Sequence, residues 1–195
     1  MRDYLKVIDA LRSRHLDEHG DNTPISYVPS GVGVSDYRFL IDYILTEKPK
    51  CIVEYGSGYS TWLISQLILD NNLDTTFISH ENDKLYFLFI LQNLKLDRKI
   101  LNFTPLRLAP EYSTEKYKSV RYNDKIQNYP KVDLVITDGP SNYEQGIKIE
   151  NNVTTNYLDI VNTQKGNRPT HWIDGRNATK EFYIEKGFSD TLIHY

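Results

Sequence analysis

Apolar residues recur along this chain with two periods that take turns, and the switches between them predict its elements. Leu5, Ile8 and Leu11 stand at helical spacing, so residues 2–14 predict an amphipathic helix. A loop with Pro24 and Pro29 follows. Ser35 or Asp36 can then cap a second helix that carries Phe39, Leu40, Tyr43 and Ile44 and stops before Pro49. KCIVEY predicts a strand, STWLISQLILD a helix, TTFISHE a strand and NDKLYFLFILQNL a helix. KILNFTPL predicts a weaker strand and VDLVITD a strong one. NYLDIVNTQ predicts a helix, THWID a strand, NATKEFYIEKG a helix closing on Gly187, and FSDTLIHY a last strand.

Strands alternating with helices of this length make βαβ units, hence an α/β fold: a doubly wound, mostly parallel sheet covered on both faces. The solid apolar runs CIV and VDLVI suit central strands buried on both sides. All 195 residues read as a single domain, with an N-terminal helix and loop over 1–34. Residues 105–131 form an insertion between the third and fourth strands that has no clear period, and it fits either a substrate lid or a plain loop.

A net charge of −3 argues against nucleic acid as a partner, since duplex binders carry a basic face. Cys51 is the only cysteine, which excludes an intramolecular disulfide, and its place at the start of a central strand suits a small buried side chain. The N-terminal segment MRDYLKVIDALRSRHLDEHG lacks the apolar core of a secretory leader, and no stretch reaches membrane-spanning length. The expected location is cytoplasmic, with no membrane partner. The N-x-T sequons at Asn102, Asn152 and Asn177 then read as chance in an Asn-rich chain. Fifteen tyrosines fit either a cleft for a polar ligand or compositional drift. The oligomeric state is open.

One junction does not follow from core building. In CIVEYGSGYSTWLIS a strand ends in a carboxylate, Glu54, beside two glycines, and a helix begins at once. Ligands of doubly wound sheets bind outside the carboxyl ends of strands, where glycine lets the backbone turn and approach closely. The dinucleotide form G-x-G-x-x-G is incomplete, because Thr61 stands where the third glycine would be. The run E-x-G-S-G-x-S-T from Glu54 to Thr61 resembles motif I of class I S-adenosylmethionine-dependent methyltransferases. In that family the glycine loop passes under the methionine part of the cofactor and the acidic residue meets its ammonium, directly or through water. Glu81, at the end of the second strand, stands where an acidic residue holds the ribose hydroxyls. VDLVITDGPSNYE is similar to an I-D-G-x-x-x-Y-E run found after strand four in one methyltransferase group, with Asp138, Gly139, Tyr143 and Glu144 matching. The resemblance covers residues 35–188 and implies a Rossmann-like methyltransferase fold. Its C-terminal hairpin would be shortened, since only one strand fits after Gly187. It implies S-adenosylmethionine as cofactor, contacted by Glu54, Tyr55, Gly56, Ser57, Gly58, Ser60, Thr61, Glu81, Asn82 and Asp138. The loop and helix before strand one cover the cofactor in this family, which points to Ser30, Tyr37 or Arg38, unless the segment is a plain connector. GVGVS, residues 31–35, lacks the lysine of a phosphate loop.

Methyl transfer to a hydroxyl needs a positioned acceptor and a base for its proton. Asp138 is the first candidate, with Asp174, His171 and His80 behind it. Asp174 and Asp138 together resemble the metal pair of catechol- and caffeoyl-type O-methyltransferases. Those enzymes have Asp-Asn directly at the end of strand five, however, and here Gly175 interrupts the pair, so a divalent metal is not the expected cofactor. Asp174 also fits a helix cap, and His171 a core histidine. In the insertion, Arg107, Lys116, Lys118, Arg121, Lys125 and Lys131 interleave with Tyr112, Tyr117, Tyr122 and Tyr129. That mixture suits a sugar, a phosphorylated small molecule or a nucleotide, or else a solvated loop. No N-P-P-Y or D-P-P-Y tetrapeptide follows strand four, which weakens N-methylation of an amine or base. The resemblance thus implies O-methylation of a small polar acceptor such as a sugar. The alternatives are a nucleotide or nucleic-acid methyltransferase and a catalytically inactive S-adenosylmethionine-binding or regulatory module.

Overall fold

The computed structural model describes residues 3–19, 34–140, 143–144, 147–148 and 151–194. Ser30 and residues 31–33 of the GVGVS run lie outside them. Two helices lead in: α1 (Tyr4–His19) and α2 (Val34–Glu47). Ser35 and Asp36, expected as caps, fall inside the first turn of α2. The alternating part follows as β1 (Cys51–Tyr55), α3 (Tyr59–Asp70), β2 (Thr76–Glu81), α4 (Lys84–Asn93) and β3 (Leu101–Phe103). After the insertion come β6 (Leu134–Thr137), α5 (Asn156–Thr163), β10 (Thr170–Ile173), α6 (Asn177–Glu185) and β11 (Leu192–His194).

These strands form one six-stranded sheet in the order β11-β10-β6-β1-β2-β3, and every pairing in it is parallel. The period of two along β1 explains how both faces are covered. Ile52 enters an apolar cluster with Tyr4 and Ile8 of α1, Leu40 and Ile44 of α2, and Leu63 and Ile64 of α3. Cys51, Val53 and Tyr55 face the other way, onto Tyr157 and Ile160 of α5 and Phe182 and Tyr183 of α6. Cys51 is wholly buried and its thiol is pushed up to about 12, chiefly by desolvation, so it serves packing.

Two parts depart from the expected layout. Among the described residues the main sheet has no antiparallel strand: β11 lies parallel beside β10, so the C-terminal hairpin is absent there rather than shortened. The order that results is the one used by dinucleotide-binding doubly wound sheets. The insertion contributes β4 (Leu106–Leu108) and β5 (Lys118–Tyr122) to a small second sheet that β9 (Asn152–Thr154), from beyond β6, completes in the order β4-β5-β9. Between them in the chain lies the short hairpin of β7 (Tyr143–Glu144) and β8 (Ile147–Lys148). Tyr117 and Tyr122 are buried against the α5–α6 face, so residues 105–131 are neither a free lid nor a solvated loop.

The order of the sheet reverses between β1 and β6, each of which has neighbours reached by opposite crossovers. Ligand crevices of such sheets open at the carboxyl ends of those two strands.

Candidate active site

At the end of β1 the chain turns through Gly56, whose φ of +96° is costly for any other residue. A Cβ there would also lie 2.2 Å from the backbone nitrogen of Gly139, in the loop after β6. Asp138 N–H and Gly139 N–H both donate to the Tyr55 carbonyl, at 2.9 and 2.7 Å. The hydroxyl of Thr154 in β9 donates to the Gly139 carbonyl at 2.7 Å. A Cβ on Gly139 would meet the Tyr122 hydroxyl at 2.2 Å and Gly56 Cα at 2.5 Å. The two glycines therefore allow two strand-end loops to lie against one another. Gly58 is different. Its backbone is extended, and a Cβ would meet only the Tyr86 hydroxyl, at 3.6 Å, so its bareness leaves room over the start of α3.

Glu54 is fully buried and ties the turn to its neighbours. Its Oε1 accepts from Ser60 Oγ at 2.6 Å, and its Oε2 from Thr61 Oγ1 at 2.6 Å and Ser79 Oγ at 2.5 Å. Thr61 Oγ1 in turn accepts the Gly58 N–H at 2.8 Å, and Ser57 Oγ lies 2.7 Å from Ser79 Oγ. Burial pushes the Glu54 carboxyl up to about 7 against the pull of the three hydroxyls. Glu81 is built likewise from backbone donors. Its Oε1 accepts from Asn82 and Asp83 N–H, each at 2.7 Å, and its Oε2 from Ser57 N–H at 3.2 Å. Desolvation raises it too, to about 7.

Asp138 sits half-buried after β6, with Asp174 buried at the end of the neighbouring β10. Desolvation first, and then the Asp174 charge, holds the Asp138 carboxyl well above its ordinary range, while the Arg176 guanidinium opposes the shift. Arg176 reaches back across the strand ends and donates from Nε, at 3.0 Å, and from Nη2 to the Asp138 carbonyl. Tyrosines close the ring. Tyr37, Tyr86 and Tyr122 all have hydroxyls raised well above the usual value, by burial first and then by carboxylates of this group.

The structure thus brings Glu54, Ser57, Ser60, Thr61 and Glu81 into one bonded cluster around Gly56 and Gly58, with Asn82, Asp138 and Asp174 at its border. It does not bring in the side chains of Tyr55 and His171. The Tyr55 hydroxyl donates to Asp124 at 2.7 Å on the far face, and its ring stacks on His80. His80 lies between Thr104 Oγ1 at 2.7 Å and the Tyr129 hydroxyl at 2.6 Å, and burial lowers it to about 4, so it is neutral. His171 is wholly buried, stacked on Tyr157 at 4.3 Å and edge-on to Tyr183, with Nε2 2.9 Å from Thr137 Oγ1. Burial lowers it to about 3, as in a core histidine.

Arg176 carried no sequence argument, and Tyr122 carried only that of the mixture of tyrosines and basic residues in the insertion. Arg176 had a usable signal, since it follows Asp174 and Gly175 at a strand end and Gly175 adopts φ +58°. For Tyr122 nothing in the pattern of the insertion marks its strand or sets it apart from the other three tyrosines. Two basic side chains of the insertion are paired with carboxylates. Arg121 pairs with Glu111 at 2.9 Å and Asp159 at 3.1 Å, and Lys116 with Glu185 at 2.8 Å. Its four tyrosine hydroxyls are bonded to Asp159, Glu185, Asn82 and Asp124.

Among the described residues, no group of three or more His, Cys, Asp or Glu side chains is placed to hold a metal ion, and no helix is long and apolar enough to cross a membrane. No family model matches the chain, and no curated protein matches it.

Proposed function

We propose that this protein is an S-adenosylmethionine-dependent methyltransferase that methylates a hydroxyl of a small polar acceptor such as a sugar. The observation that carries the reading is the convergence of Glu54, Glu81 and Asp138, from the ends of β1, β2 and β6, on a glycine turn at the point where strand order reverses. Carboxyls there, raised by burial in the crevice, are drawn into their ionised form by a cationic nucleoside and oppose a pyrophosphate. That separates the reading from a dinucleotide site, whose strand order this sheet shares. Thr61, in the place of the third glycine, is engaged with Glu54 and Gly58 instead.

The residues fit such a ligand. The space beside Gly58 is one that a side chain would fill. Glu81 uses three of its roughly four acceptor positions on backbone N–H groups, leaving Oε2 able to take a ribose hydroxyl. Glu54, enclosed by hydroxyls, acts on an ammonium through its field and through the loop it braces. When bound, S-adenosylmethionine supplies a methyl group activated by sulfonium. Asp138, ionised, takes the proton of the acceptor hydroxyl, to which it is presented at the end of β6. Arg176 holds the loop of Asp138 in place through its carbonyl.

Calorimetry with S-adenosylmethionine, S-adenosylhomocysteine and NAD tests the reading. Both sulfur ligands should bind, and NAD binding without them would overturn it. In a transfer screen over sugars, phenols and nucleotides, Asp138→Asn should lose about 10²-fold or more in turnover while cofactor affinity changes little. Full activity in that variant would reduce Asp138 to a turn residue.

A further inference from the structure

Tyr122 belongs to the second sheet, yet its hydroxyl reaches the strand-end loops of the crevice. It is seated over Gly139, so near that a Cβ on that residue would be 2.2 Å away, and it donates to Asn82 Oδ1 at 3.1 Å. Its backbone is held as firmly. Asn156, fully buried at the start of α5, accepts the Tyr122 N–H at 2.8 Å and donates to the Tyr122 carbonyl at 3.0 Å and to Asp124 at 3.2 Å. Its ring rests on Tyr55, 5.3 Å between centroids. Such support resembles the packing that fixes a functional side chain.

We propose that Tyr122 is a positioning residue of the nucleoside site: its hydroxyl fixes the amide of Asn82 with the oxygen turned to the protein and the NH2 turned to the crevice, where it donates to an acceptor atom of the ligand. An amide can present either end to a ligand, and the choice is made by its other partner. The Tyr122 hydroxyl is the donor in this pair, with Asn82 Oδ1 as its acceptor. It therefore claims the Asn82 oxygen and leaves the donor end for the nucleoside. The inference rests on the reading of the crevice as a nucleoside site and adds the polarity of one contact.

The test is a double-mutant cycle read by calorimetry with S-adenosylhomocysteine. Tyr122→Phe keeps the ring over Gly139 and removes the donor, and should weaken binding about three- to ten-fold. Asn82→Ala should weaken it at least as much. In the double variant the Tyr122→Phe loss should vanish, because it acts only through Asn82. Unchanged affinity in Tyr122→Phe, or losses that simply add, would overturn the inference while leaving the cofactor reading intact. Absence of wild-type binding to both S-adenosylmethionine and S-adenosylhomocysteine would overturn the two together.

Discussion

Glu81 gathers three backbone N–H groups on two oxygens, and this fixes what a substitution must disturb. In Glu81→Gln the amide oxygen can keep Asn82 and Asp83, but the NH2 cannot accept from Ser57 or from a ribose hydroxyl. Cofactor affinity, measured by calorimetry, should fall by roughly 1.5–3 kcal/mol, the range for a hydrogen bond to a charged group. Asp83 is a poor substitute anchor, because its carboxylate already caps α4 on Leu85 and Tyr86 N–H. Unchanged affinity in a folded Glu81→Gln protein would therefore take the ribose away from the end of β2 altogether.

Gly139 and Gly58 make opposite demands on the elements they join. Gly139→Ala drives a methyl into Gly56 and the Tyr122 hydroxyl, and backbone on one side cannot give way. It should destabilise the fold by several kcal/mol in urea titrations, as overpacked sites do. Gly58→Ala meets nothing closer than 3.6 Å, so stability should hold while cofactor binding falls. Equal stability losses in the two variants would contradict the distinction. These elements also show what the sequence could carry. The alternation from Cys51 to Glu81 was legible because central strands and amphipathic helices write their period into consecutive residues. The inserted sheet was not. Its strands are short, Leu106–Leu108 and Asn152–Thr154 have three residues each, and β5 finds its parallel partner only after the whole of β6 has intervened. Pairing of that kind is decided by tertiary contacts, and with it stayed hidden which of the four tyrosines reaches the crevice.

Across the molecule the buried acids and bases oppose each other. Glu54 and Glu81 are held near 7 against an ordinary 4.5, so their contribution to stability is whole below about pH 4.5 and is lost as pH rises through 7. His80 and His171, lowered from 6.5 to about 4 and about 3, contribute above pH 6.5 and lose that contribution as pH falls. Between about pH 4.5 and 6.5 the two pairs offset one another. Denaturant midpoints should thus be nearly level from about pH 5 to 6.5 and lower at pH 8 to 9. In Glu54→Gln the fall between about pH 6.5 and 9 should shrink by about 1 kcal/mol. A wild-type profile still climbing at pH 8 would mean that the two carboxyls are not held in their protonated form.

Gly56 and Gly139 touch backbone to backbone, and the Tyr55 carbonyl receives both N–H groups of the loop after β6. A graft that moved the Glu54–Thr61 turn onto another sheet would arrive without the surface it was shaped against. A chimera that replaced only residues 138–140 would face a turn that admits no side chain opposite it. For anyone redesigning this protein, the two loops are a single exchangeable part, to be carried over together with Tyr122 or left in place.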